Sequence, residues 1–517
     1  MLDPQTRAAL TGLAVVVALG ITGGSAEAQK PGGTVIMAQQ AQPPSTDAQT
    51  TSAQAARNIS MHWAETLVAR AENAAPINDL AEKVDISADG LTYVFTLRQG
   101  VMFHNGKEMT AEDAKISTER YAKVGASAGM MTPVASVAAT DKYTMTVKLK
   151  TAVPGFIEQL SSPRAPVIVM PREEAAKEAN KINHIGTGPF EFVEYKPDSH
   201  VALKRFEGYR ANPNYTKRDG FGGKKTAYFD AITIRFMPEG GARTAALETG
   251  EVHILEQLPA SAAKRLAANK DIKTYEMIPW AYQTVFLNAG QAPTNSVKLR
   301  EAIQIAIDAE EIMAISTEGL FRLTHGWQHP GSLYFAGDVG KEKYDVRDVG
   351  RAKALVQESG YKGEEIVFLT DNSFKNHSDT AVVMTEQLKK IGLNIRLQVT
   401  DWPTSVAIRS KPTGWNMFPV MMGIEPYEGP YNVAGVFVGP NNFQFEKDEV
   451  LERENVALTT QPTLDGRRQA FANIQRRLYE RFYAIKVGDV GIYQATRANV
   501  ANYQPYRIPR MWDVWFE

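Results

Sequence analysis

A single hydrophobic core cannot enclose 517 residues, because chains beyond roughly 250–300 residues divide into separately packed lobes. Two or three lobes are therefore the first expectation. An apolar share of 44% is ordinary for globular cores. The 57 basic side chains nearly balance the 58 acidic ones, so no strong field draws the chain to nucleic acid or to an anionic membrane.

The first segment sets the compartment. Met1 to Arg7 ends in a positive charge, Ala8 to Ala26 carries none, and Leu13 to Leu19 forms an apolar centre. Ala26-Glu27-Ala28 then supplies a small-x-small cleavage pattern, the layout of a secretory signal peptide over residues 1–28. An uncleaved anchor is the alternative, since the uncharged stretch is just long enough to span a bilayer. Its alanine and glycine content and the cleavage pattern favour removal. Removing Arg7, Asp3 and Glu27 from 57 bases and 58 acids leaves 56 of each, a formal charge of zero. The chain has no cysteine, so a periplasmic product has no disulfide and no site for a lipid anchor.

Gly33 to Ala38 reads as a strand and Thr51 to Arg70 as a helix, with Ile59, Trp63 and Leu67 recurring every four residues. Leu91, Tyr93, Phe95 and Leu97 alternate behind Asp89-Gly90, as a hairpin strand does. Thr110 with Glu112 and Asp113 marks a helix start. Tyr143 to Leu149 alternates again. Strand 365–369, helix 378–391 closed by Gly392, and strand 393–399 suggest a crossover unit with a parallel pair. Asp465 to Arg481 reads as a long amphipathic helix and Ala484 to Val490 as a strand. This mixed order points to α/β lobes with a smaller α+β lobe.

Several of these segments together carry a resemblance. Asp89-Gly-Leu-Thr-Tyr-Val-Phe-Thr-Leu-Arg-Gln-Gly-Val-Met-Phe-His-Asn-Gly106 is followed by Thr110-Ala-Glu-Asp113. Further along come Gly186-Thr-Gly-Pro-Phe-Glu-Phe192, Phe229-Asp-Ala-Ile-Thr233, Ala242 to Val252, Leu299-Arg-Glu-Ala-Ile303 with Ala306-Ile-Asp308, and Gly360-Tyr361 with Leu388 to Gly392. In content and order they resemble family 5 of the bacterial extracellular solute-binding proteins, the peptide-, dipeptide- and nickel-type receptors of ABC importers. The resemblance implies an α/β, bilobal fold like that of type II periplasmic binding proteins, with an extra inserted domain. Domain I would comprise 29–60, 186–278 and 488–517, a small domain II 61–185, and domain III 279–487. Ligand would lie between domains I and III, closed by a hinge near 279–287 and 484–491. The implied function is capture of a peptide, or a peptide-like or organic-acid compound, for the permease subunits of an ABC importer. The protein would work as a monomer without cofactor. A receptor for an opine, a sugar conjugate or a metal chelate remains an alternative.

Candidate binding residues each have a plainer rival. Arg409 lies before Gly414-Trp415, near where family members place bases on ligand carboxylates. A solvated helix-end cation is the rival reading. Trp402 and Trp415 can stack on ligand or pack in a core. Trp280 and Tyr282 fall near the lobe crossover, and Gln40 and Gln42 just past the first strand. Peptide-binding members hold the free amino terminus with an Asp a few residues before an acidic-Pro pair. Aligning Glu425-Pro426 with that pair puts Met422 at the anchoring position, with Glu425 or Glu428 able to compensate.

Enzymatic readings find less support. Gly125-Ala-Ser127-Ala-Gly129 fits a nucleophile elbow, which would make the chain a secreted serine hydrolase. A helix stands where that motif needs a strand, and Pro133 opposes the helix it needs afterwards. Of the eight histidines only His325 and His329 lie close, and Gly326 and Pro330 make that stretch a loop, so no metal site is expected.

Secreted protein is expected to begin at Gln29 and to stay in solution without detergent. Intact-mass measurement of the secreted and membrane fractions checks this; chains retaining Met1 to Ala28 in the membrane would contradict it.

Overall fold

The structure is a computed structural model that describes residues 31–372, 374–423, 430–439 and 442–517. The segment read as a signal peptide, with Gln29, Glu425 and Glu428, lies outside them.

The chain enters through β1 (Thr34–Gln39) and α1 (Gln54–Trp63). The helix expected over 51–70 stops at Trp63, and Val68–Arg70 instead pairs with Pro76–Asn78. The apolar period misleads here because its members pack in different places. Ile59 and Trp63 enter the core around β1, whereas Leu67 enters that of the next sheet. Tertiary packing overrides a local helical stripe.

A second sheet follows: β2 (Ala81–Ile86), β3 (Thr92–Leu97), β4 (Val134–Asp141) and β5 (Thr144–Leu149), antiparallel in the order β2-β3-β5-β4. The alternating residues Tyr93, Phe95, Leu97, Met145, Val147 and Leu149 all point into one core, as period two requires. Helix α2 (Ala111–Val124) covers that core, and Asp113 caps it by accepting the Thr110 backbone N–H at 2.9 Å. A short helix, α3 (Phe156–Leu160), packs Phe156 and Leu160 into the same core.

The chain then returns to the first sheet through β6 (Phe190–Lys196), β7 (His200–Arg205), β8 (Ala231–Phe236), β9 (Ile254–Leu258) and the 16-residue β10 (Ile272–Leu287). Beyond β10 come β11 (Phe321–Arg322), β12 (Ile366–Asp371), α4 (Lys375–Lys389), β13 (Ile395–Thr400), α5 (Trp402–Arg409) and β14 (Met417–Gly423). Helices α6 (Tyr431–Gly435), α7 (Glu449–Thr460) and α8 (Leu464–Arg481) lead to β15 (Ala484–Arg497). The sheet order is β13-β12-β14-β10-β15-β9-β1-β8-β7-β6, with β11 beside β15. Strands β12 and β13 are parallel and joined by α4, the crossover unit that the sequence suggests.

Strands β10 and β15 hold the two ends of this sheet together. Ile272 to Met277 pairs with Ile492 to Arg497 among the β1-side strands, and Ala281 to Phe286 pairs with Ala484 to Val490 among the β12-side strands. The register shifts between Met277 and Ala281. Pro279 falls in that gap, where a missing N–H costs no ladder bond. Gly491 stands opposite; a Cβ there would meet Ile278 at 2.6 Å and Leu320 at 2.8 Å, so only glycine fits.

Buried charges tie the second sheet to the β1 side. Lys225 Nζ lies 3.1 Å from Glu65 and 3.4 Å from Asp79, all three within 2% exposure. Burial holds the Asp79 carboxyl above its usual range despite the Lys225 ammonium. Nearby, the buried His62 ring sits 2.9 Å from the Asn58 carbonyl and accepts the Met511 N–H at 3.2 Å, which fixes it neutral with the proton on Nδ1. Burial drives its pKa down to about 3. Below about pH 6.5 the unfolded chain therefore takes up a proton that the folded chain refuses. Stability is expected to fall with pH from about 6.5 toward 3, by up to about 1.4 kcal/mol per unit from this group. Denaturant titrations across that range check it: His62→Asn should flatten the dependence, and an unchanged slope would contradict the assignment.

Candidate ligand-binding site

In open α/β sheets the loops at the carboxyl ends of strands face the ligand crevice. On the β1 side those ends bring together Gln39, Gln40 and Glu256. Gln39 is buried, and its side-chain oxygen accepts from Asn58 at 3.1 Å. Gln40 is exposed, and its backbone N–H donates to Glu256 at 2.9 Å. Burial holds the Glu256 carboxyl above its usual range. Gln42 turns away: its side-chain oxygen accepts the Asp198 N–H at 3.0 Å, on the β6–β7 turn.

At the crossover, Trp280 is half-buried and the Arg507 guanidinium stacks 3.6 Å from its ring centroid while donating to its carbonyl at 2.7 Å. Its place is therefore the strand crossover, clamped by the C-terminal segment. One residue pair further, Tyr282 is buried and donates its hydroxyl to the Met422 sulfur at 3.4 Å. Its ring meets Trp327 edge-on at 5.5 Å. On the opposite face of β10, the buried Gln283 accepts from Asn376 at 3.1 Å and leaves its own amide N–H groups without a partner.

Arg409 and Trp415 are packed against other side chains. Arg409 ends α5 with its guanidinium between the rings of Phe418 at 4.9 Å and Phe443 at 5.1 Å. Trp415 is 1% exposed, donates to the Lys411 carbonyl at 2.9 Å and packs against Phe418 and Phe445, the core alternative. Trp402 opens α5.

A cavity of about 350 Å³ lies where the second-sheet unit meets the C-terminal lobe. Its walls come from Arg70, Tyr121, Ser127, Gln159, Ser162 and Arg164 on one side and from Tyr431 and Thr459 on the other. That size suits a small organic ligand, and the two arginines give the polar groups a positive bias. Burial lowers the Arg70 guanidinium to about 10, so it stays charged at neutral pH. The expected cleft joined the first and third domains; this cavity takes its walls from segments assigned to the second and third. None of the wall residues was singled out as a binding residue from sequence. Arg70 closes an apolar stripe, and Arg164 sits in a loop without a pattern, so only the fold reveals that they converge.

Ser127 is exposed, beyond α2 and before a single 3-10 turn, and is not seated on a strand-to-helix elbow. All eight histidine rings bond to other groups; His377, for instance, lies between Asp371 at 2.8 Å and the Met421 N–H at 3.0 Å. Among the described residues no cluster of three or more His, Asp or Glu is placed to hold a metal, and no helix is long and apolar enough to cross a membrane.

Comparison with known proteins gives a consistent picture. The middle-region model of the bacterial extracellular solute-binding proteins, family 5, matches residues 75–444. The chain is similar to the "Probable peptide ABC transporter periplasmic-binding protein y4tO" of Sinorhizobium fredii, 25% identical over 467 residues, covering 87% of each chain. Among solved structures it resembles the oligopeptide-binding protein AppA of Bacillus subtilis in complex with a nonapeptide. The TM-score is 0.71 at 21% identity, covering 95% of this chain and 100% of that one. It also resembles AgaA of A. tumefaciens R10 in complex with agropinic acid, with a TM-score of 0.69 at 21% identity, covering 94% and 99%. These likenesses establish a bilobal, type II-like α/β fold with an extra domain.

Proposed function

We propose, for a chain that belongs to the bacterial extracellular solute-binding proteins of family 5, that it closes around a small peptide-like or organic-acid solute and delivers it to the permease subunits of an ABC importer. The observation that carries this reading is the cavity shared by Arg70 and Arg164 on one side and Tyr431 and Thr459 on the other, in a chain whose two halves are joined by crossing strands. Binding and release then follow from bending at the crossover, without turnover.

The ligand class follows from the charges. Two guanidinium groups at the cavity favour a solute with a carboxylate or similar anionic end. Met422 is not a wall of that cavity; at the position aligned with the usual ammonium anchor it offers a thioether that already accepts the Tyr282 hydroxyl. A thioether cannot neutralise an ammonium group, and burying a cation without a counter-charge is costly. An organic acid or an amino-blocked peptide therefore fits better than an ordinary peptide, and the agropinic-acid complex of a fold neighbour is in keeping with that. We read the working parts as residues 29–60, 186–278 and 488–517, with 61–185, moving against 279–487. The mature protein acts in the periplasm as an unlipidated monomer, with no cofactor and no nucleic-acid partner.

A thermal-shift screen of di- to pentapeptides, amino-blocked peptides and organic acids tests the ligand class. A binder at a hundredfold excess over its Kd adds about 2.7 kcal/mol of stability. Acids or blocked peptides are expected to give the larger shifts, and Arg164→Ala to remove them. Strong shifts from several unmodified peptides, kept in Arg164→Ala and lost in Glu425→Gln, would show an acidic anchor instead.

A further inference from the structure

The second-sheet unit and the C-terminal lobe meet at more than the cavity. Glu158, on α3, is 8% exposed at its side chain, and Arg467, in the first turn of α8, is 7% exposed. They are 309 residues apart in sequence, yet Arg467 donates to Glu158 Oε1 at 2.6 Å. The other carboxylate oxygen accepts the hydroxyls of Tyr334 at 2.8 Å and Tyr431 at 3.3 Å. Arg467 also donates through Nε to the Tyr334 oxygen at 3.2 Å. One acid from one half is thus surrounded by three partners from the other.

We infer that this cluster is a latch for the closed state, with Glu158 as the positioning residue that holds Tyr431 at the cavity wall. Two observations carry the inference. First, the ion pair is buried only while the halves touch; on opening, both charges regain water, and removing one partner while closed strands the other without a counter-charge. Second, the latch shares residues with the cavity: Tyr431 lines it and bonds Glu158, and Gln159, the next residue on α3, lines it too. Arg70 reaches both, lining the cavity and donating to the Glu158 carbonyl. Gly155, at the N-terminal end of α3, leaves room for this approach, since a Cβ there would lie 2.7 Å from the Tyr431 hydroxyl. The closed form of the ligand-free chain therefore depends on Glu158 keeping all three partners.

The inference rests on the reading that the two halves move. The absence of cysteine allows clean spin labelling at Ile86→Cys on the second sheet and Val456→Cys on α7, 52% and 58% exposed. Electron–electron distance distributions are then measured without ligand. The latch predicts a short-distance population that falls at least about tenfold relative to the open one in Glu158→Gln, because a stranded buried charge is worth more than one decade. If Glu158→Gln does not fold by circular dichroism, the Tyr334→Phe and Tyr431→Phe double variant, which keeps the ion pair and removes two hydroxyl donors, should show a smaller loss in the same direction. Distances unchanged in every folded variant overturn the latch. If the wild type still responds in the thermal-shift screen, the latch alone falls; if nothing in that screen stabilises it either, the binding reading falls as well.

Discussion

The antiparallel pairing of β10 with β15 joins both halves of the chain into one eleven-stranded sheet, and its register shifts twice, between Met277 and Ala281 and again between Gln283 and Thr284. A continuous ladder resists bending, because every rotation strains a row of hydrogen bonds. On the proposed reading, rotation concentrates at the wider of the two breaks, which Pro279 fills and Gly491 faces with no room for a side chain. The cores on the two sides stay intact through such a motion, since each is closed by its own helices and strands.

The other contacts between units differ in kind and fit that mechanics. Glu65, Asp79 and Lys225 join the second sheet to the β1 side through charges with almost no solvent contact, flanked by Tyr209 and Thr187. A network of that depth makes those parts one body. Glu158, Arg467, Tyr334 and Tyr431 meet across the other boundary, beside a cavity, where separation returns the groups to water. The difference between a fixed joint and a parting surface lies in whether opening restores hydration.

Much of the scaffold was legible in the sequence because its signals are local. Alternation at Tyr93, Phe95 and Leu97, the cap at Thr110 and Asp113, and the parallel pair around α4 depend on neighbours within a few residues, and the structure holds them. The stripe through Ile59, Trp63 and Leu67 misled because its members serve two cores. The site was legible only in outline. Tyr282 and Met422 do touch, yet Trp415 is enclosed and Arg409 lies between two phenylalanine rings. The cavity walls join residues 70–165 to residues 431–459, a convergence that no spacing along the chain encodes.

Closure about the β10–β15 crossover is the central claim, and small-angle scattering reads it most directly. Measured on the mature chain alone and then saturated with the solute giving the largest thermal shift, the radius of gyration should fall. A radius that stays constant at saturation would contradict a hinged, ligand-closing receptor.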